Sequence, residues 1–231
     1  MTPFLKAGEW DVRPAPLAEA QALVREFHYA RGGSLTAVYV HGLYSRAMDE
    51  LCGDFLCGVA WWLPPTRVAA ESVNKHDWRK VLSLTRMVMR PEVPKNACSF
   101  LLARSVKAIK RDGRFVSLVT YADEGEGHPG WAYRASNWTY VGAGAPTERW
   151  VDPATGRHVS KKSAAKTRTD AEMAALGYVK TGKTKKHKYV LHLRRPVKPI
   201  EHNAEIAYRP AVPNLTRLLL ATTAQPQQPD A

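Results

Sequence analysis

The chain has 231 residues, 45% hydrophobic and 24% charged, and its 34 Lys and Arg against 21 Asp and Glu leave a net charge of +13. This composition argues against a disordered or low-complexity chain, and no run of about 18 apolar residues offers a membrane span. The three cysteines, Cys52, Cys57 and Cys98, are an odd number and argue against a disulfide framework.

The first residues lack the basic-then-apolar pattern of a signal peptide, so a cytosolic protein is expected. After Pro14 and Pro16, the apolar residues Leu17, Ala20, Val24 and Phe27 recur at three- and four-residue steps. That is one face of a helix, with an end near Gly32-Gly33. Val38-Tyr39-Val40 reads as a short strand and Asp54 to Trp62 as the next, stopped by Pro64-Pro65. Cys52 and Cys57 have the spacing of half a zinc site, but no second Cys or His pair matches it, and they read as reduced, buried thiols. Val81 to Val88 reads as a further strand.

A loop from Arg90 ends at Asn96, an N-cap residue type for a helix through about Arg111 that Asp112-Gly113 closes. Phe115 to Tyr121 is a nearly continuous apolar run, a strand buried on both faces. The turn-rich stretch Asp123 to Gly130 leads to a short helix containing Tyr133, and Thr139-Tyr140-Val141 is a strand. A basic insertion at about 147–187 follows, with a small helix near Asp170 to Leu176, and Lys188 to Leu193 is the final strand. The segment from Thr147 to Lys198 holds 14 Lys/Arg and 4 Asp/Glu, which leaves +10 of the total +13 there. Positive charge so concentrated reads as a phosphate-backbone contact, with a solvated face as the alternative. The chain thus divides into a single α/β domain over 1–195 and a partly disordered C-terminal extension over 196–231.

The order of elements resembles the GNAT acyltransferase superfamily, which implies a mixed central sheet flanked by helices. In that superfamily a helix N-terminus holds the pyrophosphate of coenzyme A, and a Tyr on the following helix protonates the leaving thiolate. Unpaired amides and the helix dipole make such an end receptive to phosphate. Arg86, Lys95, Asn96 and Ser99 are the matching donor-binding candidates. The superfamily's Gly-rich turn is missing here, so an ordinary capped crossover helix stays open. Tyr133 precedes Asn137-Trp138 as the superfamily's Tyr precedes Gly-Phe, and Asn tolerates the left-handed backbone that Gly favours.

Two clusters are sharper. Phe27-His28-Tyr29 ends the first helix, and Tyr121-Ala122-Asp123 stands before Gly127-His128. Asp123 falls just past the carboxyl end of the central strand, where open α/β sheets place ligands. His28-Tyr29, Leu84-x-Arg86, Pro94-x-Asn96-x-x-Ser99, Tyr121-Ala122-Asp123, Gly127-His128 and Tyr133-x-Ala135-Ser136-Asn137-Trp138 together resemble the Mom-like DNA-modification proteins of bacteriophages. The resemblance covers roughly Phe27 to Leu193. It implies an enzyme that converts adenine in phage DNA to N6-carbamoylmethyladenine, which evades host restriction in the cytoplasm of the infected bacterium. The catalytic candidates are then Asp123, Tyr133, His28 and Tyr29, the donor acetyl-CoA or a related acyl donor.

The same resemblance implies iron, with His28, Tyr29 and Asp123 as ligands. Its partner would be double-stranded DNA, with a homodimer as an option and no membrane association. Lys161, Lys162, Lys166 and Arg168 would track phosphates, and Lys183, Lys185 and Lys186 would form a second strip with Lys180 and Lys188. Trp131, Trp138 and Trp150 are either stacking platforms for an extruded base or core residues. Two other readings stand beside this one: a generic GNAT N-acetyltransferase acting on a small amine or protein lysine, and a non-enzymatic DNA-binding module.

Overall fold

The computed structural model describes residues 4–32, 34–45, 55–127, 130–162 and 166–194. Cys52, His128 and the extension over 196–231 lie outside them. The described strands are β1 (Trp10–Pro14), β2 (Tyr39–Ser45), β3 (Phe55–Leu63), β4 (Val81–Met89), β5 (Ser117–Asp123), β6 (Thr139–Ala143), β7 (Thr147–Asp152), β8 (Arg157–Val159), β9 (Val179–Thr184) and β10 (Lys186–His192). The helices are α1 (Leu17–Phe27), α2 (Arg67–Glu71), α3 (Ala97–Asp112), α4 (Trp131–Ala135) and α5 (Asp170–Ala175). Seven strands form one mixed sheet in the order β1-β2-β3-β4-β5-β10-β6, and β8-β7-β9 form a second sheet.

The central strands of the main sheet are buried on both faces, which explains the continuous apolar runs of β3 and β5. Along β3 successive side chains point to opposite faces. Val59 and Trp61 meet Ala20, Leu23 and Val24 of α1, whereas Ala60 and Trp62 meet Leu101, Leu102 and Ile109 of α3. The sheet is therefore a central layer between α1 and α3, the flanked mixed sheet that the sequence leads one to expect.

Among the described strands only β4 and β5 pair in parallel, and their register ends at Leu84–Thr120. Past that point β4 stays with β3 and β5 stays with β10. A bulge lies at the parting: Trp61 pairs with Arg86 and Trp62 with Leu84, which leaves Thr85 as the extra residue. Its hydroxyl donates to the Trp61 carbonyl at 3.2 Å. A bulge bends its strand and sharpens the local twist, so β4 turns away from β5 and a cleft opens between them.

Several expected boundaries shift. β2 runs on to Ser45 because polar His41 is buried against Ser105 of α3, with Nδ1 2.7 Å from the hydroxyl, and Trp62 Nε1 donates to the same oxygen at 2.8 Å. β5 runs to Asp123, so that carboxylate sits on the last strand residue and not beyond it. β10 begins at Lys186, two residues early. β1, a short strand paired only with β2, and the five-residue α2 carry no clear sequence period. Asn96 occupies the N-cap position with φ 64°, but its side chain does not cap α3. Its Oδ1 accepts from the Leu5 N–H at 3.0 Å and so holds the N-terminal segment. Gly113 (φ 78°) closes α3 as expected, and Asn137 (φ 61°) takes the left-handed backbone expected of it.

Candidate active site

The cleft between the parted strands is a cavity of about 600 Å³, within the usual range for ligand sites. Five elements meet there. The end of α1 brings Phe27, His28 and Tyr29; β4 brings Leu84 to Met89, including Arg86; β5 brings Thr120 to Asp123; α4 brings Trp131 to Tyr133, and Cys98 comes from the first turn of α3. Asp123, Tyr133, His28, Tyr29 and Arg86, from four distant stretches of sequence, therefore line one space.

Asp123 is 6% exposed. Its Oδ1 accepts from the Gly125 N–H at 3.0 Å and its Oδ2 lies 3.7 Å from Lys186 Nζ. His28 is 8% exposed, and its Nδ1 accepts from the Ala30 N–H at 3.0 Å. In the neutral ring this leaves the proton on Nε2. The Tyr29 phenol is raised above its ordinary value, first by burial and then by the Asp123 carboxylate. Burial pushes the Tyr133 phenol up to about 12 against a smaller opposing pull from Thr120, and it pushes the Cys98 thiol up to about 11. Tyr133 packs between the tilted rings of Trp138 and Tyr189, with ring centroids at 5.8 and 5.3 Å. Gly130 starts α4 with φ 88°, and a Cβ there would lie 2.4 Å from the Tyr189 ring. The tyrosine is thus fixed by close packing and keeps its proton at neutral pH.

His28, Tyr29 and Asp123 converge, yet as arranged they do not fit iron. A metal-bound imidazole donates its second N–H outward, whereas His28 Nδ1 is an acceptor for Ala30. Both Asp123 oxygens face cationic or N–H partners. Among the described residues no three His, Cys, Asp or Glu side chains form a metal-holding group.

The donor-binding candidates separate. Arg86 lines the cavity, but its guanidinium donates to the Gly32 carbonyl at 3.0 Å and the Thr85 carbonyl at 2.7 Å. Lys95, Asn96 and Ser99 do not line it. Lys95 and Asn96 hold Leu5 through the Lys95 carbonyl and Asn96 Oδ1, and Ser99 Oγ donates to the Asn96 carbonyl at 2.9 Å. Cys98 is the residue of this stretch that reaches the cavity.

The aromatic candidates also separate. Trp138 and Trp150 are buried core residues, so neither offers a free face. Trp131 is 69% exposed at the cavity wall, with the Arg134 guanidinium 5.5 Å from its ring.

The basic segment forms the second sheet with α5. Lys161 pairs with Asp170 and Lys166 with Glu172, so both carboxyls are held down at about 2 by their lysines. Lys180 is 2.7 Å from Glu148 and 2.6 Å from Asp170. Lys186 lies in β10 and turns to Asp123. These four are therefore not unpaired phosphate contacts. Lys162, Arg168, Lys183 and Lys185 make no ion pair with a described residue. Sequence reasoning misses Arg149 and Glu126, an ion pair of 2.8 Å at 16% and 15% side-chain exposure that ties β7 to the turn after Asp123. It also misses Arg31, Arg157 and His158, which line a smaller notch beside the cavity. Isolated positions in loops and short strands give no periodic signal that would single them out.

A family model described as the Mom protein family matches residues 9–210. Among solved structures, an N-acetyltransferase from Staphylococcus aureus Mu50 has a TM-score of 0.45 at 12% identity, covering 80% of this chain and 99% of that one. Spermidine N-acetyltransferase from Vibrio cholerae, in complex with CoA and spermine, has 0.46 at 6%, covering 80% and 96%. A GNAT-family acetyltransferase from Streptococcus pneumoniae has 0.46 at 13%, covering 80% and 99%. No curated protein matches the chain.

Proposed function

The chain belongs to the Mom protein family, and from that premise we propose that it is a transferase acting on adenine in double-stranded DNA. Its product would be N6-carbamoylmethyladenine, which protects phage DNA from restriction endonucleases in the cytoplasm of the infected bacterial host. The observation that carries this reading is the single cavity into which Asp123 and Tyr133 both project.

The N6 amine of a paired adenine shows one hydrogen in the major groove, but its nitrogen is tied up in the base pair and held in the plane of the stack, so for chemistry at that nitrogen the base must leave the stack. A cavity of about 600 Å³ has room for an extruded base and the reactive end of an acyl donor. Asp123 accepts a hydrogen bond from the amine and takes its proton as the new N6–carbon bond forms. Tyr133 gives its proton to the leaving group as the donor's own bond breaks, the role of a positioned general acid. His28, with its proton on Nε2, donates a further hydrogen bond. Acetyl-CoA carries its leaving thiolate on the carbonyl and would give an N6-acetyl amide, so the carbamoylmethyl product needs a donor that bears the carbamoyl group and has its leaving group on the adjacent methylene, the bond that breaks as N6–CH2 forms. Exposed Lys162, Lys183 and Lys185, with half-buried Arg168, bring positive charge for the DNA backbone.

Mass spectrometry of nucleosides from plasmid DNA in cells making the protein tests the reading. A modified deoxyadenosine supports it. Unmodified DNA together with acetylated small amines or lysines replaces it with a generic N-acetyltransferase. DNA binding with neither product leaves a binding module.

A further inference from the structure

We propose that the notch beside the cavity is a phosphodiester subsite that holds a backbone phosphate of the strand whose adenine enters the cavity. The inference rests on the DNA-directed reading above. The notch has a volume of about 200 Å³ and shares the wall formed by Phe27, His28 and Tyr29 with the cavity. Three arginines enter it from separate elements: Arg31 from the turn after α1, Arg149 from β7 and Arg157 from β8. Glu126 neutralises Arg149 at 2.8 Å. Arg31 and Arg157 are exposed and make no ion pair with a described residue, and Glu26 is the remaining carboxylate. Two planar guanidinium groups against one carboxylate leave a net positive recess, and the guanidinium fork matches the geometry of a phosphate.

The turn from His28 to Arg31 couples the two compartments. Arg31 has φ 46°, a left-handed backbone that a non-glycine residue holds only when its surroundings impose it. Its N–H donates to the His28 carbonyl at 2.9 Å, while His28 Nδ1 takes the Ala30 N–H. One fixed turn therefore presents an imidazole to the cavity and a guanidinium to the notch. A nucleotide asks for two such adjoining sites, since its base and phosphate are joined through one sugar.

A coenzyme A phosphate offers the same chemistry, so the test has an arm for each source. A duplex with a single adenine in one strand is titrated against wild type and the Arg31→Gln/Arg157→Gln double variant, with neutral methylphosphonates replacing the phosphates flanking that adenine in turn. For wild type, one such replacement is expected to cost roughly tenfold in affinity. The double variant should already be about tenfold weaker on the unmodified duplex and should lose nothing more at that position. Its slope of log K against log salt should fall by about two. Binding of coenzyme A itself should be the same for both proteins, and the Arg31→Lys/Arg157→Lys protein should recover the salt slope. A double variant that melts like wild type but keeps DNA affinity, salt slope and methylphosphonate sensitivity overturns the proposal. A loss seen with coenzyme A and not with DNA overturns it in favour of a donor phosphate. Failure of wild type to bind any duplex would instead overturn the DNA-directed reading itself.

Discussion

Lys186 and Asp123 are register partners across β10 and β5, and Lys186 Nζ lies 3.7 Å from Asp123 Oδ2. The basic run at the C-terminal side of the second sheet therefore changes role within one residue. Lys183 and Lys185 make no ion pair with a described residue, whereas Lys186, exposed like them, points to the carboxylate at the cavity.

Asp123→Ala is expected to lower DNA modification by roughly a hundredfold or more, the scale of a lost general base. Loss of the bond to Gly125 should cost about 1 kcal/mol, comparable to a lost cap, and lower the melting temperature by about 2–4 °C. Nucleoside mass spectrometry and a thermal melt read the two effects separately. Full activity in a folded variant would remove Asp123 from the chemistry. Lys186→Ala keeps the carboxylate and should leave most of the activity.

Tyr133→Phe removes only the hydroxyl and should lower turnover more than substrate affinity. Because the phenol is raised to about 12, it stays protonated across the neutral range. The wild-type rate should therefore show no alkaline loss from this group below about pH 10. A Phe variant with unchanged kcat would assign Tyr133 to packing alone.

Lys183→Ala/Lys185→Ala should weaken DNA binding about equally across sequences and reduce the salt slope by about two, since phosphate contacts do not read bases. Lys161→Ala/Lys166→Ala removes two lysines already paired with Asp170 and Glu172 and should change the slope much less. Equal slopes in the two variants would contradict this division of the basic surface.

The buried His41 ring has its pKa lowered by desolvation. The native state thus binds its proton less readily than the unfolded chain, and stability rises with pH wherever the unfolded chain holds more protons. The His41 contribution should be complete above about pH 6.5, the ordinary value, and should fall as pH drops below it toward the lower folded value. Melting curves between pH 7.5 and pH 5 would show it. Ser105→Ala leaves His41 and Trp62 without their shared oxygen and should cost about 1–3 kcal/mol for each orphaned group.

The helices α1 and α3 and the strands β3, β4 and β5 were legible because apolar periodicity records which faces are buried. Their ends were less legible. Whether β5 stops at Tyr121 or Asp123 depends on β10 pairing with it up to Lys186, a contact about 60 residues away. The gathering of His28, Asp123 and Tyr133 followed from motif order, since strand ends and the helices beside them share one end of a sheet. The same positions did not reveal that Asn96 and Lys95 are occupied by Leu5, or that Trp138 is packed against Trp62. Those facts depend on tertiary partners that neither period nor spacing encodes. The charge count likewise located the basic segment but could not separate lysines paired across α5 and β9 from those left in water.

The Glu126–Arg149 pair has a mechanical consequence. Both groups are largely withdrawn from water, and removing either strands a buried charge at a cost of about 3–5 kcal/mol. A Cβ on Gly125 would lie 2.4 Å from the same guanidinium, so the backbone itself is pressed against the arginine. The turn that begins at Asp123 and the sheet that carries the positive surface are therefore riveted together. Under the proposed reading, a pull on β7 by bound DNA would reach the cavity carboxylate three residues along a stiff turn, and the grip on the substrate and the aim of the base would then be one adjustment.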